Sequence, residues 1–369
     1  MKILHFFKTF GPDQHGGVEM FIRHLTSATR VIGVDNAILS LEKKPVATFD
    51  VDGLEIHQAR EDFNFASTGF SYESISVLHD LARDADIIHY HFPWPFMDVA
   101  HFAARIKKPT VVTYHSDIVR QKILLQFYRP LMNAFLRDVD ALVATSPNYL
   151  KSSPVLQRYA AKTSVITIGL NESLYPCPKS EAIAGWRKRI GERFFLFVGV
   201  LRYYKGLHVL LDAIAGTNIP LVIVGAGPIE HELAKQARKA GLYNVHFMGQ
   251  VSEQDKVDLM EACYALVFPS HLRSEAFGIG LLEGAMFGKP LICSEIGTGT
   301  SYINIHGETG LVVPPENPWH LRDALLQLWN NPALAQKFGT AARARYEKVF
   351  TSNKMGQRYK DLYERVIER

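Results

Sequence analysis

FFLFVGVLRYYKGLHVLLDAIAGTNIPLVIVGAG, residues 194–227, decides the fold. The stretch opens on an apolar run and turns at Arg202, Lys205 and a glycine. It continues with helical spacing through LHVLLDAI and ends on a second apolar run, PLVIVG. Strands that are apolar at almost every position are buried on both faces, as in parallel sheets covered by helices. Strand, crossover helix and strand make one βαβ unit.

The same alternation extends both ways. Upstream, KILHFF (2–7), DNAILSL (35–41), LEIHQA (54–59), DIIHYHF (86–92), PTVVTYH (109–115), ALVATS (141–146) and SVITIG (164–169) read as strands. Helical patterns such as VEMFIRHLTSATRV and YESISVLHDLARD separate them. Downstream, VHFMG (245–249), ALVFPS (265–270), PLICSE (290–295) and GLVVPP (310–315) continue the series. Between the two series, YPCPKSEAIAGWRKRIGER (175–193) carries Pro176, Pro178 and a charge run, and reads as a linker over 176–193. The expectation is an α/β chain with two Rossmann-like, doubly wound domains, 1–175 and 194–351, facing across a cleft. The 369 residues suit two domains.

Composition narrows the function classes. With 47% apolar and 21% charged residues, the chain has the make-up of an ordinary soluble globule. No apolar run approaches the roughly 20 residues of a membrane span. The opening MKILHFFKTFGP has too short an apolar core for a signal peptide and reads as a first strand. Cys177, Cys263 and Cys293 are odd in number and lack metal-ligand spacing, so a reducing cytoplasm is expected. Residues 1–175 hold 18 Lys+Arg and 18 Asp+Glu, which leaves the net +4 in the remainder. That is too little for a nucleic-acid footprint and suits one small anionic ligand held by the second half.

Three glycine-rich loops could meet such a ligand. Gly16 and Gly17 follow the first strand and precede a helix, where free N–H groups favour an anion or simply make a tight turn. Gly225 and Gly227 in GAGPIE suggest a dinucleotide motif, but the third glycine position is Glu230, and no acid closes the next strand. No dinucleotide cofactor is expected. Arg202 and Lys205 sit in a strand-to-helix turn, where two cations can clamp a diphosphate or stand solvated. The fourth feature is SEAFGIGLLEG (274–284), where Glu275 and Glu283 bracket an apolar, glycine-rich core. A buried carboxylate needs a partner. A helix starting near Gly278 would leave Glu275 in the loop, put Glu283 in the second turn, and free the N–H groups around Phe277, Gly278 and Ile279. Glycosidase carboxylates lie roughly 5–9.5 Å apart. Eight helical residues span about 12 Å, so two separate jobs on one ligand fit better.

Glu-x7-Glu in SEAFGIGLLEG, VGVLRYYKG, GAGP, HGGVE after the first strand, and YHSD at 114–117 together closely resemble the retaining glycosyltransferases of family 4, with the GT-B fold. The resemblance covers nearly the whole chain. It implies a nucleotide-sugar donor held mainly by the second domain, and a final helix over 352–369 crossing back to the first. By position, Glu283 resembles the residue on the donor ribose and Glu275 the one on hydroxyls of the transferred sugar. Arg202 and Lys205 match the diphosphate clamp, and the amides of Phe277, Gly278 and Ile279 match donors to sugar or phosphate. Gln250 and Val251 match the backbone edge that reads the base. Gly16 and Gly17 match the first-domain loop at the diphosphate, and His115 the histidine near the reacting sugar. Catalysis is then carried by His115, Glu275, Arg202 and Lys205, and both acids are compensated by ligand hydroxyls. SEIGTGTSYI (294–303) stands where the family more usually has a glycine-glycine-acid turn. It resembles bacterial O-polysaccharide mannosyl- and rhamnosyltransferases, which implies a GDP-sugar such as GDP-mannose and a growing, lipid-linked glycan in lipopolysaccharide biosynthesis.

The clamp makes a metal unnecessary, and no metal site is expected. Asp50/Asp52, Asp84/Asp86 and Asp138/Asp140 read as solvated turns. His89 and His91 share a strand face and could join His115 on a metal; the resemblance makes them cleft wall or core. Pro93-Trp94-Pro95 is expected as a rigid loop touching acceptor. Residues 118–137 interleave cations with large apolar side chains, which is either a packed helix or a peripheral membrane contact at the inner face. The competing readings are a GT-B phosphorylase or nucleotide-sugar epimerase, and, from another class, a non-catalytic sugar-binding protein.

Overall fold

The computed structural model describes residues 1–369 apart from 13, 15, 47, 52, 66, 67 and 119–121. The chain divides into two compact units. Unit 1 is Met1–Gly169 with Ser352–Arg369, and unit 2 is Leu170–Thr351.

In unit 1 the strands are β1 (Lys2–Phe6), β2 (Asp35–Glu42), β3 (Thr48–Val51), β4 (Leu54–Arg60), β5 (Phe63–Phe65), β6 (Thr68–Phe70), β7 (Ile87–Phe92), β8 (Thr110–Tyr114), β9 (Ala141–Ala144) and β10 (Thr163–Val165). Eight of them form one sheet in the order β10-β9-β8-β7-β1-β2-β4-β3, parallel except for the β3–β4 hairpin. β5 and β6 pair separately as a short antiparallel ribbon. Apolar runs such as IIHYHF are buried at every position because helices cover both faces of the sheet. The period of two puts His89 and His91 on one face, and the register sets His5 opposite His89. The helix Ser352–Ile367 lies against the helix Gly17–Val31. A Cβ on Gly356 would stand 2.9 Å from that of Ala28, so glycine permits the close approach. Lys360 Nζ also donates to the Ile32 carbonyl at 3.0 Å.

Unit 2 holds β11 (Phe195–Val198), β12 (Leu221–Val224), β13 (Val245–Gly249), β14 (Ala265–Phe268), β15 (Leu291–Ser294) and β16 (Gly310–Val313), all parallel, in the order β13-β12-β11-β14-β15-β16. The order reverses between β11 and β14. Loops leaving neighbouring strands in opposite directions open a crevice there, which is where open α/β sheets bind ligands.

The expected linker is corrected. Residues Ser180–Ile190 form a helix whose half-buried positions 182, 183, 186, 187 and 190 recur with the helical period. It packs on the helix Glu253–Ala262, and Lys179 N donates to Asp258 Oδ1 at 2.7 Å. Leu170 N bonds the Phe350 carbonyl at 2.9 Å, so the boundary falls at Gly169/Leu170 rather than at 175. The helix 122–138 is also real: Met132, Phe135 and Leu136 are buried, while Leu124 and Phe127 are exposed. Among the described residues no helix is long and apolar enough to cross a membrane.

Candidate active site

The loops after β11 and β14 meet at the reversal point of unit 2. After β11 the chain runs beside the loop after β12. A Cβ on Gly225 would lie 2.1 Å from the Gly199 carbonyl oxygen, and one on Gly227 would lie 2.4 Å from that of Leu201. The GAG glycines are thus required by backbone-on-backbone packing. Arg202 follows, exposed, with no side-chain partner among the described residues. Lys205 closes the turn, buried, with its ammonium 4.6 Å from the Phe268 ring centroid and 5.3 Å from that of Tyr204.

After β14 the chain brings Glu275 to Lys205. The pair is an ion pair through Glu275 Oε2, which also accepts from Ser270 Oγ at 3.3 Å. Both residues are 8% exposed, so the charges are compensated inside the protein. The two cations of the expected clamp are therefore differently placed. Lys205 is neutralised by Glu275, and Arg202 carries the open charge.

Gly278 then takes φ +96°, a left-handed conformation that favours glycine, and caps the helix Ile279–Met286. Gly280 and Gly284, one turn apart, face the sheet. Their Cβ positions lie 2.9 Å from the Val198 carbonyl oxygen and 2.7 Å from Leu266 Cδ2. No described residue accepts from the N–H groups of Phe277, Gly278 or Ile279. They are open donors at a helix N-terminus, where the dipole favours negative charge.

Glu283, in the second turn, is 5% exposed. Its Oε1 accepts from Tyr175 Oη at 3.0 Å and from Lys256 Nζ at 3.1 Å. Burial lowers the Lys256 pKa, but Glu283 and Glu253 outweigh it and hold the ammonium above its ordinary value. Burial first, and then Glu283, push the Tyr175 phenol well up. The two acids of the motif are thus built alike. One oxygen of each, Glu275 Oε2 and Glu283 Oε1, is bonded by protein. The other, Glu275 Oε1 and Glu283 Oε2, bonds to no described residue and is not sealed from solvent. Gln250 and Val251 follow β13 at the same end of the sheet, just before Ser252 caps the next helix. Tyr175, Lys256 and Ser270 were not singled out from sequence. The signal for them was weak: a tyrosine before two prolines and one lysine on a polar helix.

In unit 1, Gly16 caps the helix Gly17–Val31. A Cβ there would meet the Glu19 carboxylate at 2.2 Å. That carboxylate, held by Thr9 Oγ1 at 2.6 Å, sits at the electropositive helix start. His115 directly follows β8 and joins a buried histidine row: His5 Nδ1 to His91 Nε2 at 3.1 Å, and His91 Nδ1 to His115 Nε2 at 3.1 Å. The ligand atoms of His5, His89 and His91 lie within 4.8 Å of one another, so the close set is not the alternative trio His89, His91 and His115. All six of their ring nitrogens are in hydrogen bonds, to Asn36, Thr113, Tyr363, His115 and each other. A metal there would have to displace them.

One aspartate of each Asp-x-Asp triplet serves the backbone. Asp86 accepts from Lys2 N and Asp140 from Thr110 N, while Asp50 accepts from Gly53 N. Asp138 bonds His101 Nε2 at 2.9 Å, Asp84 is exposed at a helix end, and Asp52 lies outside the described residues. Pro93-Trp94-Pro95 is not an exposed loop. Pro95 opens a helix, and Trp94 is buried with Nε1 on the Gly69 carbonyl at 3.0 Å.

Comparison with known proteins agrees across the chain. Residues 178–345 match the family described as "Glycosyl transferases group 1", and residues 15–173 match "Glycosyltransferase Family 4". The D-rhamnosyltransferase WbpZ of Pseudomonas aeruginosa is 56% identical over 355 residues, 95% of this chain and 93% of that protein. The O-antigen chain mannosyltransferase C of Escherichia coli is 46% identical over 372 residues, covering 100% of this chain and 99% of that one. Among solved structures, sucrose-phosphate synthase from Thermosynechococcus elongatus superposes with a TM-score of 0.83 at 21% identity, over 100% of this chain and 99% of that one.

Proposed function

The chain belongs to the family 4 glycosyltransferases, with two Rossmann-like units of the GT-B fold, and on that premise we propose that it transfers rhamnose or mannose, with retention, from a GDP-sugar to a growing lipid-linked O-polysaccharide. The observation that carries the reading is the half-open state of the two acids. A carboxylate whose second oxygen is left unbonded accepts ligand hydroxyls without losing its own neutralising partner.

In this reading Glu283 takes the donor ribose and Glu275 the transferred sugar. Arg202, Lys205 and the amides of Phe277, Gly278 and Ile279 take the diphosphate, and Gln250 and Val251 the base. From unit 1, Gly16 and Gly17 serve the diphosphate and His115 the reacting sugar. Charge develops on the departing diphosphate oxygens. Preorganised N–H groups and Arg202 stabilise it without reorganising, and a divalent ion is not needed. Lys205 acts as a donor already oriented by Glu275. The leaving phosphate takes the acceptor's proton, so no protein nucleophile is required. Contact with the cytoplasmic membrane face through exposed Leu124 and Phe127 would bring the enzyme to a lipid-linked acceptor.

Thermal shift against GDP-, UDP- and dTDP-sugars tests the donor, and product analysis with a synthetic lipid-linked acceptor tests the transfer. Stabilisation by GDP-rhamnose or GDP-mannose together with acceptor-dependent release of GDP is the expected result. Stabilisation by UDP-sugars alone would overturn the donor assignment.

A further inference from the structure

The histidine row in unit 1 has a direction, and the direction can be read from its buried end. Asn36 Nδ2 lies 3.1 Å from the Val34 carbonyl, which can only accept, so the amide nitrogen is fixed there. It also donates to Thr29 Oγ1 at 3.1 Å, whose own hydroxyl is spent on the Leu25 carbonyl at 2.9 Å. The Asn36 Oδ1 therefore faces His5 Nε2 at 3.1 Å, and that nitrogen must carry a hydrogen. A neutral His5 then offers only a lone pair at Nδ1, so His91 Nε2 donates to it. A neutral His91 in turn offers a lone pair at Nδ1, and His115 Nε2 donates. Each step follows from the last because a neutral imidazole has one donor and one acceptor.

The rings are neutral. All are buried, and burial holds His5 down at about 4 and His115 at about 3. Burial, and then the neighbouring histidines, hold His89 and His91 well below the ordinary value. His89 is not in the row. Its nitrogens are taken by Tyr363 and Thr113, so it cannot reverse the polarity. At the far end, His115 Nδ1 bonds to no described residue and is not sealed from solvent.

We propose that Asn36, His5 and His91 are positioning residues that lock His115 in the Nε2–H tautomer, so that its Nδ1 meets the substrate as a hydrogen-bond acceptor for a sugar hydroxyl. The second half rests on the placement of His115 at the reacting sugar; the first does not. His115 then neither donates a proton to the leaving group nor carries charge. It orients one hydroxyl through a lone pair whose direction is set by a carbonyl at Val34, four hydrogen bonds away.

Histidine-selective ¹⁵N labelling of the full chain and long-range ¹H–¹⁵N correlation test it, with His115 assigned by its loss in His115→Asn. The expected spectrum has a protonated Nε2 and a bare, deshielded Nδ1 at His115, unchanged from pH 8 to pH 6. A protonated Nδ1, or both nitrogens protonated, overturns the lock whatever the activity. Asn36→Leu should give mixed tautomers and lower kcat about tenfold with little change in donor KM. The wild-type spectrum decides the first half even where Asn36→Leu fails to fold. A shifted tautomer with unchanged kcat overturns the hydroxyl contact and leaves the lock standing.

Discussion

The two units bury polar groups by opposite means. Unit 1 fills the middle of its sheet with neutral rings: His5, His91 and His115 joined in a row from Asn36, and His89 held by Thr113 and Tyr363. Unit 2 does so with charge, in the pairs Lys205–Glu275 and Lys256–Glu283. A neutral row fixes direction, since each ring dictates the hydrogen of the next. An ion pair fixes charge, and leaves a second carboxylate oxygen for something else. Removing one partner of an ion pair strands a buried charge, while removing one member of a neutral row strands at most a hydrogen bond.

The largest effect is therefore expected at Lys205. Lys205→Ala should lower turnover by about 10²-fold or more, on the scale of a lost oxyanion donor, and destabilise the protein by about 3 kcal/mol through the stranded Glu275. The double change Lys205→Met with Glu275→Leu should recover the stability and not the turnover. Urea melts and initial rates measure the two. Wild-type rates in Lys205→Ala would end the clamp assignment.

The acids should separate next. Glu283→Gln should raise the donor KM about tenfold and weaken free GDP to match, because a ribose contact is the same in ground and transition states. Glu275→Gln should chiefly lower kcat and leave GDP binding alone. Calorimetry with GDP giving the reverse pattern would exchange the two roles.

Acid should distinguish the two kinds of interior. The buried histidines titrate below the unfolded value of 6.5, so the native state binds fewer protons than the unfolded chain. Their neutral form favours the fold above pH 6.5, and that contribution is lost as pH falls toward 4. Each group tilts stability by about 1.4 kcal/mol per pH unit in that window. Melting temperature should fall steadily from pH 6.5 to 4.5, and His5→Gln should flatten the slope. A melting temperature that holds level across this range would contradict four neutral rings. The smallest effect is none: activity should persist in excess EDTA. Loss restored by Mg²⁺ or Mn²⁺ would reopen the cluster His5, His89 and His91 and the Asp-x-Asp triplets.

Much of this was legible in sequence because it is local. The apolar runs at 87–92, 195–198 and 265–268 announce strands buried on two faces. The glycines of SEAFGIGLLEG announce the helix start at Ile279. What was not legible depends on distant partners. Lys256 reaches Glu283 across 27 positions, Tyr175 reaches Glu283 across 108, and neither neighbour stands out by type. Helix Ser180–Ile190 was hidden by the prolines before it and by a face only half covered. β3, β5 and β6 are short, with too few residues for a period to show. Asn36 was a missed clue: an amide inside DNAILSL asks for a partner, and the partner is His5.

The last helix carries a consequence for how the chain is made. Unit 2 is one uninterrupted segment and needs nothing from residues 352–369 to close. Unit 1 begins first and finishes last. Until Tyr359 and Tyr363 emerge, Thr113 and His89 lack their phenol partners, and the face of the helix Gly17–Val31 that Gly356 later covers stays bare. Synthesis order and assembly order thus run opposite for this half. A premature stop just before Ser352 would release a finished second unit tethered to a first one that is folded only as far as an open, sticky intermediate.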